Sequence, residues 1–323
     1  MAKAVRFHKT GGPEVLKLED VDVGEPGAGQ IRIRHTAIGI NFIDTYQRSG
    51  LYPMQLPAVA GNEGAGVVDA VGSSVSGLKK GDRVAYTGLI GAYCEARNVP
   101  ADRMVKLPEG ISDEQAATLM LKGMTTQYLI RRTYTVKSGD TVLFHAAAGG
   151  VGLFACQWLK ALGATVIGTV GSAEKAALAK AHGCDHTILY NTENFVERVK
   201  QITGGKGVPV VYDSVGKTTW EGSLDCLQPR GLLVLFGNAS GPVPPVNLGM
   251  LAQKGSLYVT RPTLVTYIAS RQDLEATAKD VFDIVLSGKV KVDITARYKL
   301  ADAAKAHSDL EGRKTTGQMI LVP

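Results

Sequence analysis

The stretch "HAAAGGVGLFACQW", residues 145–158, sets glycines between a short apolar run and an amphipathic one. Glycines so placed let a backbone come close enough to a phosphate for its N–H groups to donate. Against the fingerprint G-x-G-x-x-G the stretch supplies Ala147, Gly149 and Gly152, so the first glycine is missing. The context is the required one, a strand, a turn and a helix inside a βαβ unit. Gly149 and Gly150 let the backbone approach a pyrophosphate, and Gly152 lets the helix pack close to the sheet. A purely structural turn would look similar, but the regular alternation of elements behind it favours a phosphate.

The next strand decides which dinucleotide. An acidic residue about 20 positions downstream, at the end of the second strand, accepts from a ribose 2′-hydroxyl. Here that strand ends "TVGSAEK", with Gly171 and Ser172 at its tip and Glu174 only later, on the following helix. A carboxylate at the tip would repel a 2′-phosphate, and none is there. Ser172 offers a hydroxyl and a helix N-terminus, and Lys175 reaches back one turn. The expected cofactor is NADPH. Lys175 alone would pass for a solvated surface residue, so the missing acid carries the argument.

Other reactive side chains form no constellation. Cys94, Cys156, Cys184 and Cys226 lack the paired spacing of a zinc site or a redox dithiol and are expected to be buried, inert thiols. Few cysteines in a long chain fit a reducing compartment. The histidines, His8, His35, His145, His182, His186 and His307, match no ligand motif and are expected at the surface or in the core. The net charge of +6 is spread over isolated residues and pairs such as Lys79-Lys80, Arg131-Arg132 and Arg313-Lys314. A basic stripe interleaved with aromatics, the mark of many nucleic-acid binders, is missing. The surplus suits attraction of a small polyanion.

The elements that must hold these residues read as two domains. Up to about residue 123 the chain is short strands and turns, as in "QIRIRHTAIG", "GAGVVDAVGSSV" and "GDRVAYTG". Ser112 then starts a helical run, "SDEQAATLMLKGMTTQYLIRRTY", with acids in its first turn. From about residue 139, "TVLFHA", "TVIGTV", "TILY", "VPVVYDSV", "GLLVLFG" and "GSLYVT" alternate with amphipathic helical segments. That alternation predicts a doubly wound, parallel six-stranded sheet, a nucleotide-binding fold. After about 262 come the helical "QDLEATAKDVFDIVLSG" and "ADAAKAHSDLEG" with strands "ITARYKL" and "GQMILVP", which suggest a return to the first domain. The expected division is 1–123 with 262–323, and 124–261. No apolar run approaches the ~18 residues of a membrane span. The opening "MAKAVRFHKTGG" does not resemble a secretory signal, and the expected location is the cytoplasm.

"GINFIDTYQRSGLYP", "GNEGAGVV", "GDRVAY", "AAAGGVG", "VVYDSVG" and "LFGNASG" resemble the medium-chain dehydrogenase/reductase superfamily. Within it they resemble the zinc-free NADPH:quinone oxidoreductases of the zeta-crystallin type. The resemblance spans essentially the whole chain. It implies an α/β protein with a GroES-like, mostly β catalytic domain built from both chain ends and a Rossmann domain between. It also implies a site in the interdomain cleft and a homodimer joined through the edge of the Rossmann sheet. Zinc-dependent relatives hold catalytic metal with a cysteine and a "GHE" histidine, whereas here Asn41 and Asn62 stand at those places and only Glu63 remains. One carboxylate does not make a zinc site.

The same resemblance places Asn41 and Tyr52 near the nicotinamide, where their side chains could donate to a quinone oxygen. Taken alone, Asn41 reads as a turn residue and Tyr52 as a rim aromatic. The resemblance adds cofactor contacts from Asn41, Phe42, Thr125, Ala148, Val151, Tyr190, Ser214, Phe236, Gly237, Asn238, Ser240, Thr263, Leu264 and Arg313. Gly237 and Asn238 are also supported by their place at the end of the fifth strand. The expected reaction is metal-free hydride transfer from NADPH to a small quinone. The rival within the fold is reduction of an activated C=C bond, as in enone and 2-enoyl reductases. A rival of another class is a crystallin-like structural or RNA-binding role, disfavoured by the phosphate turn and the scattered charge.

Overall fold

The computed structural model describes residues 1–323. Two compact units divide the chain: Met1–Met124 with Ile268–Leu286 and Val292–Pro323, and Thr125–Tyr267 with Ser287–Lys291.

The first unit opens with β1 (Ala2–Phe7), β2 (Lys17–Val21) and β3 (Gln30–Gly39). Helix α1 (Phe42–Ser49) follows, then β4 (Ala58–Val59), β5 (Glu63–Val71), β6 (Arg83–Thr87), β7 (Ala96–Pro100) and β8 (Val105–Lys106). Alternation drives the central strand: Ile31, Ile33 and His35 of β3 point inward while Arg34 is exposed. β3 pairs antiparallel with β5 and β7, and β5 with β6. Phe7, Ile31, Ile33, Val68, Tyr86 and Met104 are among the fully buried core side chains. Each such burial contributes about 1.5–3 kcal/mol.

The helical run after Ser112 is divided. Ser112 and Gln115 exchange side-chain to main-chain hydrogen bonds at 3.2 and 3.0 Å, the capping box that starts α2 (Asp113–Leu119). At Leu121 the N–H turns to the Glu63 carboxylate at 2.7 Å, the helix breaks, and α3 (Lys122–Tyr128) begins. A π-helical turn, Leu129–Thr133, ends it.

The second unit carries the predicted alternation. Its elements are β9 (Thr141–Phe144), α4 (Gly150–Ala161), β10 (Thr165–Val170), α5 (Ala173–Ala181), β11 (His186–Leu189) and α6 (Phe195–Ile202). Then come β12 (Val208–Asp213), α7 (Trp220–Asp225), β13 (Leu227–Leu235), α8 (Gly249–Gln253), β14 (Tyr258–Thr260) and α9 (Leu264–Tyr267). Six parallel strands lie in the order β11-β10-β9-β12-β13-β14, so the winding reverses between β9 and β12. Leu143, Ile167, Ile188, Val211 and Leu233 fill the core beside them.

The tail consists of α10 (Arg271–Leu286), β15 (Ile294–Lys299), α11 (Ala303–Glu311) and β16 (Gln318–Val322). β16 pairs antiparallel with β3 and parallel with β15, completing the seven-stranded sheet of the first unit. The second unit runs on to Tyr267, beyond the boundary expected at 261. Tyr267 accounts for the difference: its ring stacks on Tyr128 at 4.4 Å and lies under the Arg132 guanidinium at 5.2 Å. Residues 287–291 also rejoin that unit, where Gln157 bonds both the N–H and the C=O of Lys291. No helix is long and apolar enough to cross a membrane.

Candidate functional site

In the second unit nearly all the residues singled out in the sequence gather at the carboxyl ends of the parallel strands. The glycine turn follows β9, beside the point where the strand order reverses. That is where open α/β sheets bind their ligands. Ala146 opens the turn in the left-handed region, at φ 54°. Its carbonyl accepts from Gly149 N–H at 2.9 Å, and Ala147 N–H is tied to Thr169 O at 3.1 Å. Gly149 then caps α4, which starts at Gly150. A Cβ at Gly152 would lie 2.4 Å from Ala146 O and 2.6 Å from Ala147 O, so only glycine lets α4 sit this close to the turn. The turn supplies a helix N-terminus and an approachable backbone, the features that suit a pyrophosphate. Ala148, Gly150 and Val151 complete it.

At the end of β10, Ser172 caps α5 and its hydroxyl oxygen accepts from Lys175 N–H at 3.3 Å. The hydroxyl proton remains to be donated. Glu174 lies in the first turn of α5 and is exposed. The Tyr190 hydroxyl, from the end of β11, lies over Gly171. Across the reversal point, Gly237 passes Ser214 so closely that a Cβ would be 2.4 Å from Ser214 O. Ser240 joins the same two loops, donating to Val215 O at 2.8 Å and accepting from Thr218 N–H at 3.0 Å. Phe236 packs on Phe144 with ring centroids 5.7 Å apart, and Asn238 is half-buried. Thr263 and Leu264 follow β14, where the Thr263 and Thr266 hydroxyls meet at 3.0 Å. Thr125 is buried on α3.

In the first unit Asn41 precedes α1 and is buried. Its Nδ2 donates to Glu63 Oε1 at 2.8 Å, so one of the two N–H bonds expected to face an acceptor is committed. Its main-chain N–H donates to Asp44 at 2.8 Å. Glu63 is fully buried and pairs with Lys122 Nζ at 3.5 Å; burial raises its pKa, and Lys122 opposes the shift. Lys122 also donates to Ile40 O at 3.0 Å. Asn62 donates to Asp44 and Gln47, each at 2.7 Å. Burial pushes Asp44 up to about 6, against the donors Asn62, Asn41 and Tyr93. Phe42, Tyr46 and Tyr52 form an aromatic row, with centroids 6.2 and 5.3 Å apart. Arg313 lies past the end of α11, exposed and at φ 54°.

Tyr46 and Lys122 were not singled out in the sequence. The i, i+4 spacing of Phe42 and Tyr46 is a signal for the first. Nothing local marks the second, whose partner Glu63 is distant in sequence.

Residues 27–109 match the family described as "Alcohol dehydrogenase GroES-like domain", and residues 150–282 match "Zinc-binding dehydrogenase". A quinone oxidoreductase of Pseudomonas aeruginosa is 58% identical, with the whole of both chains covered. The chain belongs to the quinone oxidoreductase family of medium-chain dehydrogenases/reductases. A solved structure of the same family, the Escherichia coli quinone oxidoreductase complexed with NADPH, is 54% identical, with a TM-score of 0.98 and the whole of both chains covered. The 2-haloacrylate reductase of a Burkholderia species is 47% identical over all of this chain and 99% of its own. The donor set of this quinone oxidoreductase family member does not fit the zinc in one family description. Asn41 and Asn62 present amide N–H groups to carboxylates, Glu63 is already balanced by Lys122, and no three His, Cys, Asp or Glu groups are placed to share an ion.

Proposed function

We propose that the chain is an NADPH-dependent quinone reductase that needs no metal. The observation that carries this reading is the full-length likeness to quinone oxidoreductases, at 58% identity with the P. aeruginosa protein. The carboxylate-free tip of β10 supports NADPH over NADH. When bound, NADPH supplies a hydride, and a quinone takes it readily because reduction makes its ring aromatic. The chain then has mainly to bind and orient.

In this reading the turn at Ala148–Gly152 takes the pyrophosphate. Gly171, Ser172, Lys175 and Tyr190 surround the 2′-phosphate and its ribose. Ser214, Phe236, Gly237, Asn238 and Ser240 line the nicotinamide half, with Asn41, Phe42, Thr125, Thr263, Leu264 and Arg313 as further cofactor contacts. Asn41 and Tyr52 orient the quinone, Tyr52 with both hydroxyl and ring. The test is NADPH oxidation by the purified protein against a panel of quinones, with and without a chelator. Turnover unaffected by chelation is expected; stoichiometric zinc whose removal abolishes activity would overturn the metal-free reading.

The 2-haloacrylate reductase relative favours one second reading, reduction of an activated C=C bond. Enones in the same panel discriminate it. We also propose a homodimer joined at β14, an edge strand whose Tyr258 and Val259 are 62% and 42% exposed. Light scattering on the wild type and on Tyr258→Lys checks it; a wild-type monomer would reject it.

A further inference from the structure

Beneath the glycine turn lie four polar side chains that the proposed hydride chemistry does not use. His145, Thr169, Ser223 and Asp213 are each at most 1% exposed. Buried polar groups left unpaired are strongly destabilising, and these are paired in one direction throughout. Ala146 N–H donates to Thr169 Oγ1 at 3.3 Å, and Thr169 Oγ1 lies 3.0 Å from His145 Nδ1. On the other side His145 Nε2 lies 3.0 Å from Ser223 Oγ, which donates to Asp213 Oδ2 at 2.9 Å. A carboxylate only accepts, so the Ser223 proton goes to Asp213 and its oxygen must receive a proton from His145. His145 is then the neutral Nε2–H tautomer, with Nδ1 accepting from Thr169. Burial pushes its pKa down and outweighs the pull of Asp213, which keeps the ring neutral.

Both ends of this wire reach loops at the strand ends. At one end is Ala146, held at φ 54° as the first residue of the turn. At the other, Asp213 Oδ1 accepts from Val215 N–H at 2.8 Å and Gly216 N–H at 3.0 Å, fixing the loop after β12. We propose that Thr169, His145 and Ser223 are positioning residues that hold the loops after β9 and β12 in register for the dinucleotide. The proposal rests on the reading of that turn as a pyrophosphate cradle. It assigns the wire to coenzyme affinity, not to the hydride step.

The paired variants Thr169→Val and Thr169→Ser separate hydrogen bonding from packing. Valine keeps the volume and loses the hydroxyl; serine loses a methyl and keeps the hydroxyl. Thr169→Val should weaken NADPH and NADH alike by about tenfold, with kcat at saturation unchanged, and Thr169→Ser should bind like wild type. Ser223→Ala, which cuts the wire on the other side of the imidazole, should match Thr169→Val. The reverse order, serine weaker than valine, would make the site mere packing and overturn the proposal, as would a folded Ser223→Ala protein with unchanged affinity. ¹⁵N spectra of histidine-labelled protein give a coenzyme-free check, with His145 assigned by its loss in His145→Phe. A neutral Nε2–H signal is expected; an imidazolium or the Nδ1–H form would contradict the wire's direction. If wild type binds neither coenzyme, the cradle reading falls and the positioning role with it, whatever the tautomer.

Discussion

Ser172 stands where a carboxylate would accept from a ribose 2′-hydroxyl, and its oxygen instead accepts from Lys175 N–H at 3.3 Å. In the proposed reading Ser172 and Lys175 receive a 2′-phosphate at the tip of β10. Lys175→Ala should therefore weaken NADPH by roughly 10- to 100-fold, the loss of one charge-assisted contact, and leave NADH nearly unchanged. Equal losses in a coenzyme titration would reject that role. Ser172 could be read from the sequence because a cap and a strand end are both local. The setting of Asn41 could not, since Glu63 and Lys122 reach it only through the fold. One N–H of Asn41 is committed to Glu63, and the proposed reading gives Tyr52 a share in orienting the acceptor. A quinone needs little polarisation, so Tyr52→Phe should lower quinone turnover by only about tenfold. Tyr52→Ala should mainly raise the quinone KM through loss of an aromatic wall. A thousandfold loss in Tyr52→Phe would point to a weaker acceptor than a quinone.

Helix α4 shows what an element adds to its residues. Its N-terminus is useful only because Gly152 lets it rest against Ala146 O and Ala147 O. In Gly152→Ala a Cβ 2.4 Å from Ala146 O must push the helix off the turn. The expected result is a lower melting temperature and weaker binding of NADPH and NADH together, in contrast to Lys175→Ala. Unchanged affinity for both would show that the close packing does not shape the cradle. The six strands and their helices were legible because apolar strands and amphipathic helices follow one another at short spacing. The break between α2 and α3 was not, because it is made by Glu63, a residue of another strand taking Leu121 N–H. Helix α1 is only two turns long, and its start at Asn41 depends on Asp44 closing back on the Asn41 N–H.

For the whole molecule, buried titratable groups set the response to acid. Burial pushes His35 and His307 from 6.5 down to about 3. Both rings are engaged as neutral groups, His35 with Cys94 O and Tyr86, His307 with Tyr93 and Arg48. Their folded pKa lies below the unfolded one, so the stability they contribute is present above pH about 6.5 and is lost as pH falls toward about 3. Asp44 has the opposite sign: raised from 3.8 to about 6, its contribution is largest below 3.8 and fades as pH rises through 6. Burial lowers His145 as well and raises Glu63 as well, so three buried histidines oppose two buried acids, and the histidines prevail. The urea midpoint should rise as pH goes from about 4.5 to 7. A midpoint falling over that range would contradict the burial of these rings.

The central claim is tested most directly by steady-state turnover of the purified protein with one quinone and one enone, each with NADPH and with NADH. NADPH with the quinone is expected to give the highest kcat/KM, with NADH at least about tenfold lower and a chelator without effect. A higher kcat/KM for the enone, or turnover with NADH matching that with NADPH, would contradict it.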